Sequence, residues 1–215
     1  MGARTIMMLV AVSVLALIFS AGCEPPPEGE QVTGEPSALV DETYDSELPN
    51  ELVEEEETQM AWKITSSAFE GGDMIPEKYT DDGEDVSPPL TFEDVPEDAV
   101  ELVLIMHDPD APREGGWTHW VVYGMASDIG GLPENIPTEA TVDDPGLVQG
   151  ENSWDSIGYG GPAPPEGQPH RYQFRGYALS EPLDLEPGAT KAEVEAAMDG
   201  NIIGEAMLEG LYGRG

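Results

Sequence analysis

The chain has 215 residues and is 39% apolar, enough for one ordinary domain with its own core plus extensions. Against 8 Lys and Arg stand 44 Asp and Glu, a formal charge of -36, which excludes nucleic acid as a partner because a polyphosphate would be repelled. A single cysteine excludes an internal disulfide, and carboxylates spread through the whole sequence fit a protein working in concentrated salt, where the Debye length falls to roughly 3 Å at 1 M.

Residues 1–23 read as an export leader. Arg4 gives a short basic start, Ile6 to Phe19 form an apolar core, and Ser20, Ala21 and Gly22 lead into Cys23. The S-A-G-C junction resembles the lipobox of prokaryotic lipoproteins, in which the cysteine is lipid-modified and becomes the N-terminus. Ser20 stands where leucine is usual. The alternative is an uncleaved signal anchor, since Thr5 to Gly22 carry no charge and approach the roughly 20 residues that span a bilayer. Either way the domain is expected outside the cytoplasmic membrane, on its outer face or as a periplasmic or cell-surface lipoprotein. Residues 24–58 hold no Lys or Arg, are rich in Glu, Asp and Pro, and predict a solvated, disordered tether. The folded domain is expected over 60–215, from the point where A-W-K-I-T-S-S-A-F resumes alternation.

Short β-like runs follow at 61–69, 88–92, 100–106, 118–125 and 171–179, bounded by Pro, Gly and Asp. Glu101 to Met106 is apolar at nearly every position, as a strand buried on both faces requires. Tyr172, Phe174, Gly176 and Ala178 alternate with more polar neighbours. Thr190 as N-cap, Glu193 as its capping-box partner and Gly200 as stop predict a helix of about ten residues. A second short helix is expected from Ile202 to Glu209. Strands first and helices last predict a mainly β fold, an antiparallel β-sandwich with one or two short C-terminal helices.

Two loops concentrate chemistry. H-D-P-D-A-P-R-E-G-G-W-T-H-W, residues 107–120, puts Asp108 and Asp110 in a proline-stiffened turn at a strand's end. Strict alternation places Trp117 and His119 on one face of the next strand and Thr118 and Trp120 on the other, so His119 can return towards Asp108. The second loop, G-Y-G-G-P-A-P-P-E-G-Q-P-H-R-Y over 158–172, again enters a strand at a histidine. His170 and Tyr172 then share a face, and Arg171, pointing away, is read as structural. Glycines let a ligand approach the backbone and prolines hold the loop in shape. Together the loops suggest one composite pocket.

These residues carry a resemblance. D-P-D-A-P, W-T-H-W and the 158–172 loop, with F-E-G-G-D-M-I-P-E-K-Y-T before them and L-E-G-L-Y-G-R at the end, resemble the phosphatidylethanolamine-binding protein family, in its prokaryotic Raf-kinase-inhibitor-like branch, from about Ala61 to Arg214. The resemblance implies a Greek-key β-sandwich with a small pocket for phosphate-type anions, its ligand-binding positions falling on Asp108, His119, Pro164, His170 and Tyr172. Asp110, Trp117, Tyr159, Gly161 and Pro162 are expected as pocket wall, with Tyr159 either gating the pocket or packing beneath the loop. Asn201 stands where relatives often carry histidine, so any rim role of that histidine is absent.

The reading of the residues agrees. Two imidazoles, a phenol and loop amides can bind an oxyanion, with Asp108 orienting His119 or accepting a ligand ammonium. His107 is expected to face away as a satisfied interior residue. The leading function is a non-catalytic, extracytoplasmic binding module for a small phosphorylated or other anionic ligand, with control of a protein partner as a further possibility and with no cofactor. A hydrolase with His119 or His170 as base and Asp108 orienting it lacks a nucleophile, since no G-x-S-x-G surrounds Ser153 or Ser156. A metal triad of His119, His170 and Asp108 lacks H-x-H or H-E-x-x-H spacing.

Overall fold

The computed structural model describes residues 62–215, so the leader with Cys23, the tether over 24–58 and the domain start at residue 60 lie outside the described residues. In chain order the described elements are β1 (Lys63–Thr65), β2 (Leu90–Glu93), β3 (Glu101–Asp108), β4 (Trp117–Ala126), β5 (Gly131–Leu132), β6 (Thr141–Val142), β7 (Leu147–Gln149), β8 (His170–Leu179), α1 (Lys191–Met198) and β9 (Ile202–Tyr212). They form two antiparallel sheets, β1-β2-β5 and β6-β7-β4-β3-β8-β9. The chain crosses from the small sheet to the large one after β2, returns for β5, and crosses again. All five expected strands are present, within a few residues of their predicted bounds.

The continuous apolar run of β3 is explained by two cores. Leu102, Leu104 and Met106 face the small sheet and join Ile64, Leu90 and Phe92 in the sandwich interior. Val103 and Ile105 face the other way, under Val194 and Met198 of α1. Each fully buried aliphatic side chain contributes about 1.5–3 kcal/mol, so β3 anchors both layers. On β8 the predicted alternation holds: Tyr172, Phe174 and Ala178 lie inside. Gly176 leaves the space that the Trp62 ring fills, since a Cβ there would sit 2.3 Å from that ring.

The capping box of α1 is formed as expected. Thr190 Oγ1 accepts from the Glu193 N–H at 3.4 Å, and Glu193 Oε2 accepts from the Thr190 N–H at 2.8 Å. Gly200, at φ +83°, follows the helix. The second helix does not exist: Ile202 to Glu209 belongs to β9, which pairs with β8 from Leu179↔Ile202 to His170↔Tyr212. Packing decides this. Leu208 and Tyr212 alternate inwards, while Gly204 and Gly210 admit Pro96 and Ile75, which approach to 2.9 and 2.5 Å of where a Cβ would be. Among the described residues no helix is long and apolar enough to cross a membrane.

Candidate functional site

The site forms where β3, β4 and β8 reach the same end of the large sheet. Asp108 is the last residue of β3, and its Oδ1 accepts from the Asp110 N–H at 2.8 Å, folding the chain into the 109–116 turn. Gly116 ends that turn at φ +72°, and a Cβ there would lie 2.4 Å from the Asp108 carbonyl oxygen and 2.5 Å from His107 Nε2. Only glycine fits so close a return.

The β3–β4 ladder then breaks. Met106 pairs with Trp120 but His107 pairs with Thr118, so His119 is an extra residue with no partner on β3. This bulge corrects the strict alternation expected for W-T-H-W. Trp120 shares the inner core with Tyr172, yet the His119 ring also lies against Tyr172, with centroids 5.1 Å apart. His119 is tied to the second loop in two places: its carbonyl accepts from Gly160 N–H at 3.0 Å, and its Nδ1 donates to the Gly160 carbonyl at 2.7 Å.

Asp108 does not orient His119. Its Oδ2 accepts instead from His170 Nδ1 at 2.8 Å, because β8 brings His170 alongside the end of β3 while the bulge turns His119 towards Gly160. Tyr172 is wholly buried and its hydroxyl has no hydrogen-bond partner among the described residues. Burial, then the nearby Asp108 carboxylate, raise its pKa, so it remains a neutral donor. Burial lowers His119 to about 4, which keeps it neutral. With its proton on Nδ1 for the Gly160 carbonyl, His119 has only an acceptor left at Nε2. The expectation of two donating imidazoles is therefore corrected: His119 has no donor left, and His170 spends its Nδ1–H on Asp108.

The expected wall residues divide. Trp117 pairs with Asp108 across the strands, its indole N–H is buried without an acceptor among the described residues, and its ring packs edge-on against Trp154 at 5.1 Å. Gly161 donates its N–H to Asp85 Oδ1 at 2.6 Å, and a Cβ there would collide with that carboxylate. Pro162 is buried and its carbonyl accepts from the Asp81 N–H; the buried Pro164 is held by Arg214, which donates to its carbonyl at 3.2 Å. Tyr159 packs beneath the loop rather than gating it, with its hydroxyl on the Tyr79 carbonyl at 2.7 Å and its ring against Trp120.

Asp110 is not wall. Arg171 grips it with Nε at 2.9 Å and Nη2 at 2.7 Å, which lowers its pKa to about 2, and both side chains face outwards. The structural reading of Arg171 thus fits the geometry. His107 faces away from Asp108, but it is not satisfied by any described residue: its buried Nδ1 has no partner among them. Asn201 lies at the opposite end of β9 from Tyr212, the residue that pairs with His170, so a side chain at 201 has no place on this rim.

Sequence reasoning missed Trp154, Gly160, Asp85 and Arg214. Trp154 packs edge-on to His119 at 5.0 Å and is 43% exposed, a cap over a buried imidazole. Its position just before the Gly-rich loop was the available signal. A cleft of about 220 Å³ borders the site, lined by Trp154, Gly160, Gly161 and Asp85 among others. Among the described residues no group of three His, Cys, Asp or Glu is placed to hold a metal ion.

Comparison with known proteins agrees with this fold. A sequence model described as phosphatidylethanolamine-binding protein matches residues 65–213. A UPF0098 protein of Methanothermobacter thermautotrophicus is 51% identical over 152 residues, covering 71% of this chain and 99% of the relative. Another, from Aquifex aeolicus, is 47% identical over 154 residues, covering 71% and 88%. The crystal structure of the phosphatidylethanolamine-binding protein homologue CT736 from Chlamydia trachomatis superposes with a TM-score of 0.66 at 44% identity, over 72% of this chain and 99% of that one. Escherichia coli YbcL, a member of the mammalian PEBP family, gives 0.65 at 29% identity over the same shares. None of these names is that of an enzyme.

Proposed function

The chain belongs to the phosphatidylethanolamine-binding protein family, and from that premise we propose that it binds a small ligand bearing a phosphoryl or similar anionic group at the Asp108–His119–His170–Tyr172 end of the sandwich. The observation that carries this reading is the Tyr172 hydroxyl, buried and without a partner among the described residues. An unmet buried polar group costs about 1–3 kcal/mol, a cost that a bound acceptor removes. His170, held through Nδ1 by Asp108, leaves its Nε2 for the ligand. His119 Nε2 asks for the converse, a hydrogen on the ligand. A phosphoryl group with a neighbouring hydroxyl or ammonium, as in phosphoethanolamine, meets both demands.

Hydrolysis is not favoured, because among the described residues neither His119 nor His170 is hydrogen-bonded to a hydroxyl or thiol. The Ser153 hydroxyl is engaged as acceptor for the Thr118 N–H at 2.9 Å. We place the protein outside the cytoplasmic membrane, lipid-anchored at Cys23; the support is the leader pattern of residues 1–23 alone. A regulatory role towards a protein partner would act through the same end, where the exposed Trp154 borders the pocket.

The test is calorimetric titration of the full chain with inorganic phosphate, phosphoethanolamine and uncharged glycerol. Saturable heat is expected with the two anions, and His170→Ala should weaken it by about a hundredfold, two charge-assisted contacts being lost or misplaced. No heat from a folded sample, or equal affinity in the variant, would overturn the reading.

A further inference from the structure

The charges of the site do not balance a phosphoryl ligand. Asp108 and His170 sum to zero at best, when His170 is protonated, and Asp110 is neutralised by Arg171. His119 adds no charge. A phosphoryl group brought there must find its counter-charge elsewhere, in a chain of net charge -36.

Cations are scarce and nearly all engaged. Lys63, Lys78, Arg171, Lys191 and Arg214 each hold a carboxylate. Arg175 is fixed on Gln173 Oε1 at 2.6 and 3.0 Å. Arg113 alone among the described cations has neither an ion pair nor a side-chain hydrogen bond to another described residue. Its guanidinium lies over the Trp117 ring, 5.0 Å from the centroid. Its backbone is fixed within the turn, where its carbonyl accepts from the Gly116 N–H at 3.1 Å. Trp117 pairs with Asp108 and touches Trp154, which covers His119, so Arg113 sits on the aromatic wall of the site with its guanidinium N–H donors taken by no described residue.

Resting on the pocket reading above, we propose that Arg113 is a ligand-binding residue, the cation that caps the outer oxygens of the bound phosphoryl group, and that the site therefore selects terminal phosphomonoesters over phosphodiesters. A monoester offers a further free oxygen and more negative charge than a diester, and both are what an unpaired guanidinium recognises. Stacking on Trp117 keeps the side chain at the mouth in the meantime, where a free arginine would seek one of the many surface carboxylates. The buried Trp117 N–H, which no described residue accepts, lies in the same wall.

The experiment titrates the full chain, at matched ionic strength, with phosphoethanolamine and with glycerophosphoethanolamine, its diester counterpart. Wild type should prefer the monoester by about tenfold, the size of one charge-assisted hydrogen bond. Arg113→Gln should erase that preference while Arg113→Lys restores part of it, and Arg175→Gln should leave it intact. Arg113→Gln retaining both affinity and preference, with His170→Ala losing binding, would overturn the role of Arg113 and leave the pocket standing. Wild type binding neither ester would overturn both.

Discussion

Glu101 opens strand β3 and Asp108 closes it, 6% and 3% exposed respectively. At the Glu101 end each oxygen takes one backbone N–H, from Gly124 at 3.0 Å and from Leu183 at 3.1 Å, and the carboxylate stitches β4 and the 181–190 segment to the sheet. At the Asp108 end the oxygens take the Asp110 N–H and His170, but beside them the Tyr172 hydroxyl and the Trp117 N–H have no partner among the described residues. A buried acid used for architecture is finished by backbone donors alone. The one proposed for recognition stands among side chains whose capacity no described residue spends.

The two ends should respond to acid with opposite signs, and this is the largest effect. Burial lowers His119 from 6.5 to about 4, so between those values the unfolded chain takes up a proton that the folded chain refuses. Its stabilisation is complete above pH 6.5 and lost as pH falls towards 4, about 3 kcal/mol in all. Burial raises Glu101, so its contribution is present at low pH and lost as pH rises through its folded pKa. Denaturant unfolding of wild type and His119→Gln between pH 6.5 and 4.5 should show the variant losing much less; parallel curves would break the distinction.

At neutral pH, Glu101→Gln should cost about 2 kcal/mol in the same assay, since the amide NH2 faces a backbone N–H. Its phosphoethanolamine affinity should stay within about twofold of wild type, a single weak interaction at most being disturbed. A large loss of affinity would mean that the closed end also serves the ligand. The smallest and sharpest change is Tyr172→Phe, with affinity down about tenfold and stability unchanged or slightly raised, because a hydroxyl without a partner is removed. A stability loss instead would make that hydroxyl structural.

Much of this was legible in the sequence, and the limits have physical causes. The run from Glu101 to Met106 announced a strand with two buried faces, and Thr190 with Glu193 fixed the start of α1, because both signals are local. Ile202 to Glu209 misled because I-I-x-x-A-M-L has helical spacing, while its fate is set by β8 beside it and by Pro96 and Ile75 pressing on its glycines. The two loops were read as one site, and Asp108, His119, His170 and Tyr172 do converge. Their pairing was not legible. One unpartnered residue in β4 hands His119 to Gly160 and leaves Asp108 to His170. Short β5, β6 and β7 carry too few residues to show a period.

That extra residue has a consequence for anyone who would move this site to another scaffold. Copying the side chains onto a regular hairpin would turn the imidazole to the wrong side of the ribbon. Deleting one residue from W-T-H-W would do the same here while sparing most of the core. What must be transplanted is a miscount of one between two strands, and an alignment that treats that position as an ordinary gap would erase the proposed recognition surface without changing a single aligned letter.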